Sequence, residues 1–543
     1  MARNANSTTA VKIENRLLSL TIACLLLILS PMVWAQTLGT TNLLEASTAG
    51  SDSVVLSANA TWTATSNASW LHLSVANQSG TASTNVIFSF DANPGATRSG
   101  TLTIDGQTLT VTQAGSTYVA ANPLTTLVSS GLRGPDDVAV DGAGNVYIAD
   151  AGNNAVKEWN AASNTVTTLV SSGLNNPHGV TVDGVGNVYI ADSGNNTIKE
   201  WTAASNTVTT LVSSELNLPV DVAVDSTGNV YIADYGNNAI KEWLVASNSV
   251  TTVVSSGISQ SAGVAVDAAG NVFIAKTAFW EIAEWTAANH TVTTLVPVSS
   301  GLRSPHGLTV DGAGNVYIAD SGNEMIKKWT ASSHTVTTLA SLGLSFPGGV
   351  AVDGAGDVYI ADSANNVIEE LPHAFVDPTG KLEGPAAGSD VLPVVLPSTA
   401  NLTGPFLPGA VNMTGPFQQF SDSDWLTVTG STNGVVSFSF TANNSATNRV
   451  AYIILLGQLI PVTQVGSLNL TDLTILSDGT VQFSLNNIFT NATFTVLSSS
   501  NLLLPLTNWT VLGSLTNNGS GQCQFTDLTA TNGGQRFYRV SSP

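Results

Sequence analysis

The stretch Val138-Ala139-Val140-Asp141-Gly142-Ala143-Gly144-Asn145-Val146-Tyr147-Ile148-Ala149-Asp150 decides the fold. Two apolar runs flank an Asp-Gly turn, and the block recurs five more times. Its first Asp falls at Asp141, Asp183, Asp225, Asp267, Asp311 and Asp353, in steps of 42, 42, 42, 44 and 42 residues. Each unit runs on through a Gly-Asn-Asn type loop to a third run, ending in Trp159, Trp201, Trp243, Trp285, Trp329 and Leu371. A fourth run, Val166-Thr167-Thr168-Leu169-Val170 in the first unit, closes the pattern. Four short β-rich runs in a period of about 40 residues describe a four-stranded antiparallel blade, not a helical solenoid. Six units predict six blades. The sixth unit leaves the pattern at Leu371-Pro372-His373, but Leu124-Thr125-Thr126-Leu127-Val128 stands before the first unit. That strand can complete the last blade and close the ring without an open edge.

Pro177-His178-Gly179-Val180-Thr181-Val182-Asp183, Gly186-Asn187-Val188-Tyr189-Ile190-Ala191-Asp192 and Asn196-Thr197-Ile198-Lys199 resemble NHL repeats, and all six units fit. The resemblance covers residues 123–376. It implies a six-bladed propeller whose binding surface is the face made by the fourth-to-first and second-to-third strand loops.

The two flanks resemble each other. The first holds Ser69-Trp70-Leu71, then Val86-Ile87-Phe88-Ser89-Phe90, and ends Leu109-Thr110-Val111-Thr112-Gln113-Ala114-Gly115. The second holds Asp424-Trp425-Leu426, then Val436-Ser437-Phe438-Ser439-Phe440, and ends Ile460-Pro461-Val462-Thr463-Gln464-Val465-Gly466, after a Pro-rich start from Pro385 to Pro416. Alternating apolar and polar residues predict antiparallel β-sandwiches. Both are similar to BACON domains, a resemblance that implies either contact with carbohydrate or glycoprotein or a spacer role. Residues 467–543 alternate again and read as a third sandwich, similar to C-terminal modules of exported bacterial proteins. The expected fold class is all-β: a six-bladed NHL propeller with flanking β-sandwich domains. The expected divisions are 1–35, 36–116, 117–376, 377–466 and 467–543.

Residues 1–35 read as an export signal. Arg3, Lys12 and Arg16 precede an apolar run from Leu17 to Leu29, and Val33-Trp34-Ala35 puts small residues at −3 and −1. The run is shorter than a spanning helix needs. Thr21 stands where a lipoprotein site at Cys24 would want Leu. Secretion, or residence in the cell envelope, is therefore expected. Only Cys24 and Cys523 are present among 543 residues, so there is no disulfide framework.

The chain has 16 Lys and Arg against 37 Asp and Glu, a formal charge of −21. That balance argues against nucleic acid and anionic membrane surfaces as partners. Most of it is a footprint of the repeat: residues 123–376 hold 24 acidic and 8 basic side chains, which is −16.

The repeats act as an internal control for function. Asp141 and its equivalents open a tight turn and are expected to be structural. The Asp-Gly-x-Gly-Asn segment is neither a calcium loop, since Ala143 fills a ligand position, nor a phosphate cradle. Variation gathers before the first strand of each blade, where the units read Pro135-Asp136-Asp137, Pro177-His178-Gly179, Pro219-Val220-Asp221, Ser261-Ala262-Gly263, Pro305-His306-Gly307 and Pro347-Gly348-Gly349. The second strands end in Asp150, Asp192, Asp234, Lys276, Asp320 and Asp362, and both sets are expected to crowd one face near the axis. Asp136, Asp137, Asp221, His178 and His306 are candidate ligand-binding residues there. The NHL resemblance implies a metal role for such His residues in enzymatic relatives. Two His on opposite blades make a poor zinc site, so no metal or cofactor is assigned.

Blade four reads Lys276-Thr277-Ala278-Phe279-Trp280-Glu281 where the others read Asp-Ser-Gly-Asn-Asn, and an extra Pro297-Val298 follows. Lys276, Phe279 and Trp280 are candidates to stack on a sugar ring or anchor a peptide, the alternative being that they pack on a neighbouring domain. Adjacent pairs such as Asp136-Asp137 and Glu369-Glu370 point to opposite faces and read as solvated charges. The expected function is an exported binding or scaffold protein that recognises an extracellular protein or glycan. Oligomeric state stays open. The alternative is a metal-dependent lyase or lactone hydrolase.

Overall fold

The computed structural model describes residues 37–121, 124–392, 395–398, 400, 420–445, 447–466, 469–486, 493–516, 522–530 and 535–541. The export signal, Cys24 and most of the Pro-rich start of the second flank lie outside the described residues. Within them the chain is all-β, with helix limited to three-residue turns.

Six four-stranded antiparallel sheets form the propeller. Their inner strands are Pro135–Val140, Pro177–Val182, Pro219–Val224, Ser261–Val266, Pro305–Val310 and Pro347–Val352. Blade six takes its outer strand from Thr125–Val128, which pairs antiparallel with Val367–Leu371. The offset read from the repeats is how the ring closes. The two-residue insertion after blade four lies beside a single helical turn, Val298–Ser300.

Each blade is held by the middle of its second strand. Ile148, Ile190, Ile232, Ile274, Ile318 and Ile360 are fully buried, each contributing about 1.5–3 kcal/mol relative to exposure. Trp159 packs with Ala351 and Tyr359 of blade six, and Trp243 with Tyr189 of blade two, so these indoles fill the seams between blades. Asp141 opens its turn as expected. Its Oδ1 accepts the N–H groups of Ala143 and Asn145 at 2.9 Å, and its Oδ2 accepts the Asn145 amide. At the axis the inner strands nearly touch. A Cβ on Gly349 of blade six would lie 2.0 Å from Asp137 Oδ1 of blade one, so that position admits no side chain.

The flanking sandwiches share a second layer of likeness. In the first, Asn42–Glu45 runs parallel to Thr110–Gln113; in the second, Lys381–Glu383 runs parallel to Val462–Gln464. Arg98 lies 4.4 Å over Trp70 and bonds the fully buried Gln113, while Arg449 lies 4.3 Å over Trp425 and bonds the fully buried Gln464. Two three-stranded sheets between Asn469 and Ser541 form the C-terminal module, with Cys523 buried in its core.

Both BACON-like sandwiches attach at the lower face, made by the first-to-second and third-to-fourth strand turns. Val55 N–H donates to Gly312 O at 3.0 Å, Ser53 Oγ to Ala313 O at 2.6 Å and Ser332 Oγ to Ser51 O at 3.0 Å. The chain's entry and exit pair as a ribbon, Val119–Ala120 with Phe375–Val376, whose Ala121 and Val376 join the core of the second sandwich. Among the described residues neither sandwich is bonded to the upper face.

Candidate binding face

The inner strands enclose an axial channel with a cavity of about 140 Å³, lined by residues from all six of them. Each inner strand begins at the upper face, so the variable tripeptides surround the channel mouth. There His178 Nδ1 lies 2.5 Å from Asp136 Oδ2, and His178 Nε2 lies 2.6 Å from Asn176 Nδ2. Burial pulls the His178 pKa down, but the Asp136 hydrogen bond and charge outweigh it, so the imidazole titrates above its ordinary value. His306 packs edge-on to Phe346 at 5.2 Å. Burial lowers its pKa, against the charge of Asp136 and with that of His178, so it stays neutral near pH 7. The two His residues occupy the same position on blades two and five, each second in its inner strand. The mouth thus pairs an imidazole whose pKa is raised with one whose pKa is lowered.

Asp137 and Asp221 lie just inside, at the throat. Asp137 Oδ2 accepts Val180 N–H at 2.9 Å, and Asp221 Oδ2 accepts Val264 N–H at 2.8 Å, so each carboxyl links its blade to the next. Burial raises Asp137 to about 7; burial and then the charge of Asp137 hold Asp221 well above the usual carboxylate range. The solvated reading of Asp137 is therefore corrected, because the inner strand turns it into the channel. Glu369 and Glu370 are corrected too, being buried in blade six at 9% and 2% exposure. Among the described residues no group of three or more His, Cys, Asp or Glu side chains could hold a metal.

The second-strand carboxylates do not line the face as expected. Asp150, Asp192, Asp234, Asp320 and Asp362 are fully buried. In blade two, Asp192 Oδ1 accepts Asn175 N–H at 2.7 Å, while Oδ2 accepts the Asn195 amide at 2.8 Å and pairs with Lys199 at 2.7 Å. The same latch recurs in blades one, three and five, and without the lysine in blade six. It fastens the two loops of the upper face to each other.

Blade four has given the latch up. Lys276 replaces its Asp and Phe279 its Asn, and Ala283 stands where the lysine would be. Lys276 instead pairs with Glu281 at 2.9 Å and lies 4.9 Å from the Phe279 ring. Phe279 and Trp280 are 48% and 45% exposed, so they are not buried against another domain. Trp280 takes a left-handed backbone, φ 58°, where blades one to three and six have Asn. For a bulky residue this costs about 1–2 kcal/mol. Thr277 Oγ1 donates to Pro305 O at 2.6 Å, seating this loop against the residue before His306.

Sequence reasoning missed Phe346, which is 44% exposed beside His306. The signal was present, since the residue before each inner-strand start reads Gly134, Asn176, Leu218, Gln260, Ser304 and Phe346. Only the last is aromatic.

Residues 174–201, 216–243 and 302–328 match the NHL repeat. Residues 60–114 and 416–464 match the BACON family, described as "Putative binding domain, N-terminal". No curated protein matches the chain. Among solved structures, a streptogramin B lyase is 14% identical with TM-score 0.36, over 47% of this chain and 97% of that one. A gluconolactonase from Xanthomonas campestris is 17% identical with TM-score 0.39, over 46% of this chain and 89% of that one. A protein of unknown function from Bacteroides thetaiotaomicron is 17% identical with TM-score 0.41, over 62% and 96%.

Proposed function

We propose that this chain, a propeller of NHL repeats carrying BACON domains, is an exported binding protein that recognises an extracellular protein or glycan on the upper propeller face. The observation that carries the reading is the blade-four loop. It forgoes a latch present in the other five blades and accepts backbone strain, and what it obtains is an exposed Phe-Trp pair. Bulky aromatic residues held against local preference point to a use outside the fold. The sandwich contacts at blade five, and the chain's entry and exit at blade six, lie on the lower face, which supports the upper face as the ligand's. The signal-like N-terminus supports export.

Substituting Phe279 and Trp280 by Ala together is expected to abolish retention on a panel of immobilised glycans and peptides while the chain stays folded. Retention unchanged from the parent chain would sink the reading. The Asp136–His178 pair favours a second reading, an enzyme of the lyase or lactone-hydrolase kind using proton transfer at the mouth. One tightly bound divalent ion per purified chain, with turnover lost in His178→Ala, would favour it.

A further inference from the structure

We infer that the upper face holds a carbohydrate subsite between blades four and six, walled by Trp280 and Phe346 and floored by Ser304 and His306. The inference rests on the binding reading above and names its ligand class and residues. Among the described residues four large aromatic side chains are exposed, and three of them, Phe279, Trp280 and Phe346, lie on this one face. Trp280 and Phe346 both hold left-handed backbone, φ 58° and 51°, as do the residues at their positions in the other blades.

The blade junctions supply an independent observation. In four of them a left-handed Asn accepts a backbone N–H from the next blade: Asn154 from Asn176 at 2.7 Å, Asn196 from Leu218 at 2.6 Å, Asn238 from Gln260 at 2.9 Å and Asn366 from Gly134 at 2.7 Å. At the remaining two junctions Trp280 and Glu324 replace the Asn. The N–H groups of Ser304 and Phe346 consequently have no protein acceptor among the described residues. Two backbone donors are thus freed at neighbouring junctions, one on each side of blade five, beside Trp280 and Phe346. Donors left open by both substitutions at once are groups a ligand can satisfy.

The chemistry fits a sugar. A pyranose offers a flat C–H face to an aromatic ring and hydroxyls that both donate and accept. This part of the face offers the rings, the two N–H donors, the Glu324 carboxylate as acceptor and the neutral His306 imidazole, which can do either. Arg303, exposed beside Ser304, can bond hydroxyls or the carboxylate of an acidic sugar. A peptide adding as a strand needs an unpaired sheet edge, and this face presents loop ends.

The test is titration of the full chain against arrayed neutral and uronate-bearing oligosaccharides, with peptides arrayed alongside. Trp280→Asn is the informative variant, because Asn restores the acceptor for Ser304 and relieves the strain, so the protein should be at least as stable. We expect oligosaccharide binding in the parent, weakened about tenfold or more in Trp280→Asn and in Phe346→Ala, about 1.4 kcal/mol each. Oligosaccharide binding unchanged in both variants would overturn the subsite. Binding of peptides alone, lost on removing Phe279 and Trp280, would overturn the carbohydrate inference and leave the binding reading standing. Binding to neither class would overturn both.

Discussion

Asp192→Ala is expected to destabilise the propeller by about 3–5 kcal/mol, because it leaves a largely buried cation without its partner. Lys199 is 13% exposed in its side chain and its carboxylate partner is fully buried. The same change takes the acceptor from the part-buried Asn175 N–H and leaves the Asn195 amide only the 3.5 Å contact with Gly173 O, which adds to the loss. Asp192→Asn keeps an acceptor and should cost less. Blade four provides the contrast. Lys276 is as buried as Lys199, but its partner Glu281 is 22% exposed and can turn to water once the lysine is gone, so Lys276→Ala should cost less than Asp192→Ala. Denaturant midpoints of the propeller transition for the three variants check this. Equal losses in blades two and four would show that the Asp is not a latch.

Raising the pH is expected to loosen the first sandwich from the propeller. The Glu45 and Asp52 carboxyls act on each other at their junction, and Glu45 Oε1 is buried with no partner. Burial, then the charge of Asp52, raises Glu45 well above the usual carboxylate range, and burial also raises Asp52. Lys328 is the nearby positive charge; Asp311 adds a negative one, Tyr317 faces Asp52, and His373 bonds Leu44 O with its own pKa lowered by burial. A carboxyl raised on docking favours the docked state while it stays protonated. The contribution is therefore complete below the ordinary carboxylate values near 4 and is lost as pH rises through the raised values of the pair. A tenfold gain in proton affinity on docking is worth about 1.4 kcal/mol. A distance-sensitive dye pair spanning sandwich and propeller should separate as pH rises from about 4 to 9. Glu45→Gln keeps the donor but cannot ionise, and it should flatten the profile. The same profile in both chains would refute the mechanism.

The architecture was legible because a repeat multiplies every signal by six. Period, strand count and the displaced strand at Leu124–Val128 all followed from one aligned block. Two sandwiches were legible from their alternation, and their shared Trp-Leu and closing Gln positions proved to be one packed set, Trp70 with Gln113 and Trp425 with Gln464. The blade-four loop stood out for the same reason the repeat did: a departure from five like neighbours is visible without coordinates.

What was not legible depends on which side of a strand faces what. Asp192 and its equivalents look like a ring of exposed acid in the sequence, and only the register shows them turned inward to meet Lys199 and Asn175. Asp137 and Glu370 look like solvated charges because alternation along a strand assumes that one side meets water. On the inner strands of a ring that side meets a narrow axial channel, and in blade six it meets packed neighbours. The Glu45–Asp52 pair joins segments that no spacing relates to Lys328. Phe346 escapes notice since it ends a loop rather than a motif.

The central claim is that a ligand meets the upper face of the propeller. Hydrogen exchange of the full chain, with and without a ligand captured from the glycan and peptide panel, tests it most directly. Slowed exchange is expected at residues 276–281, at Ser304 and at Phe346, with the lower-face contacts at Val55 unchanged. Protection confined to the sandwiches, or to the lower face, would contradict the account.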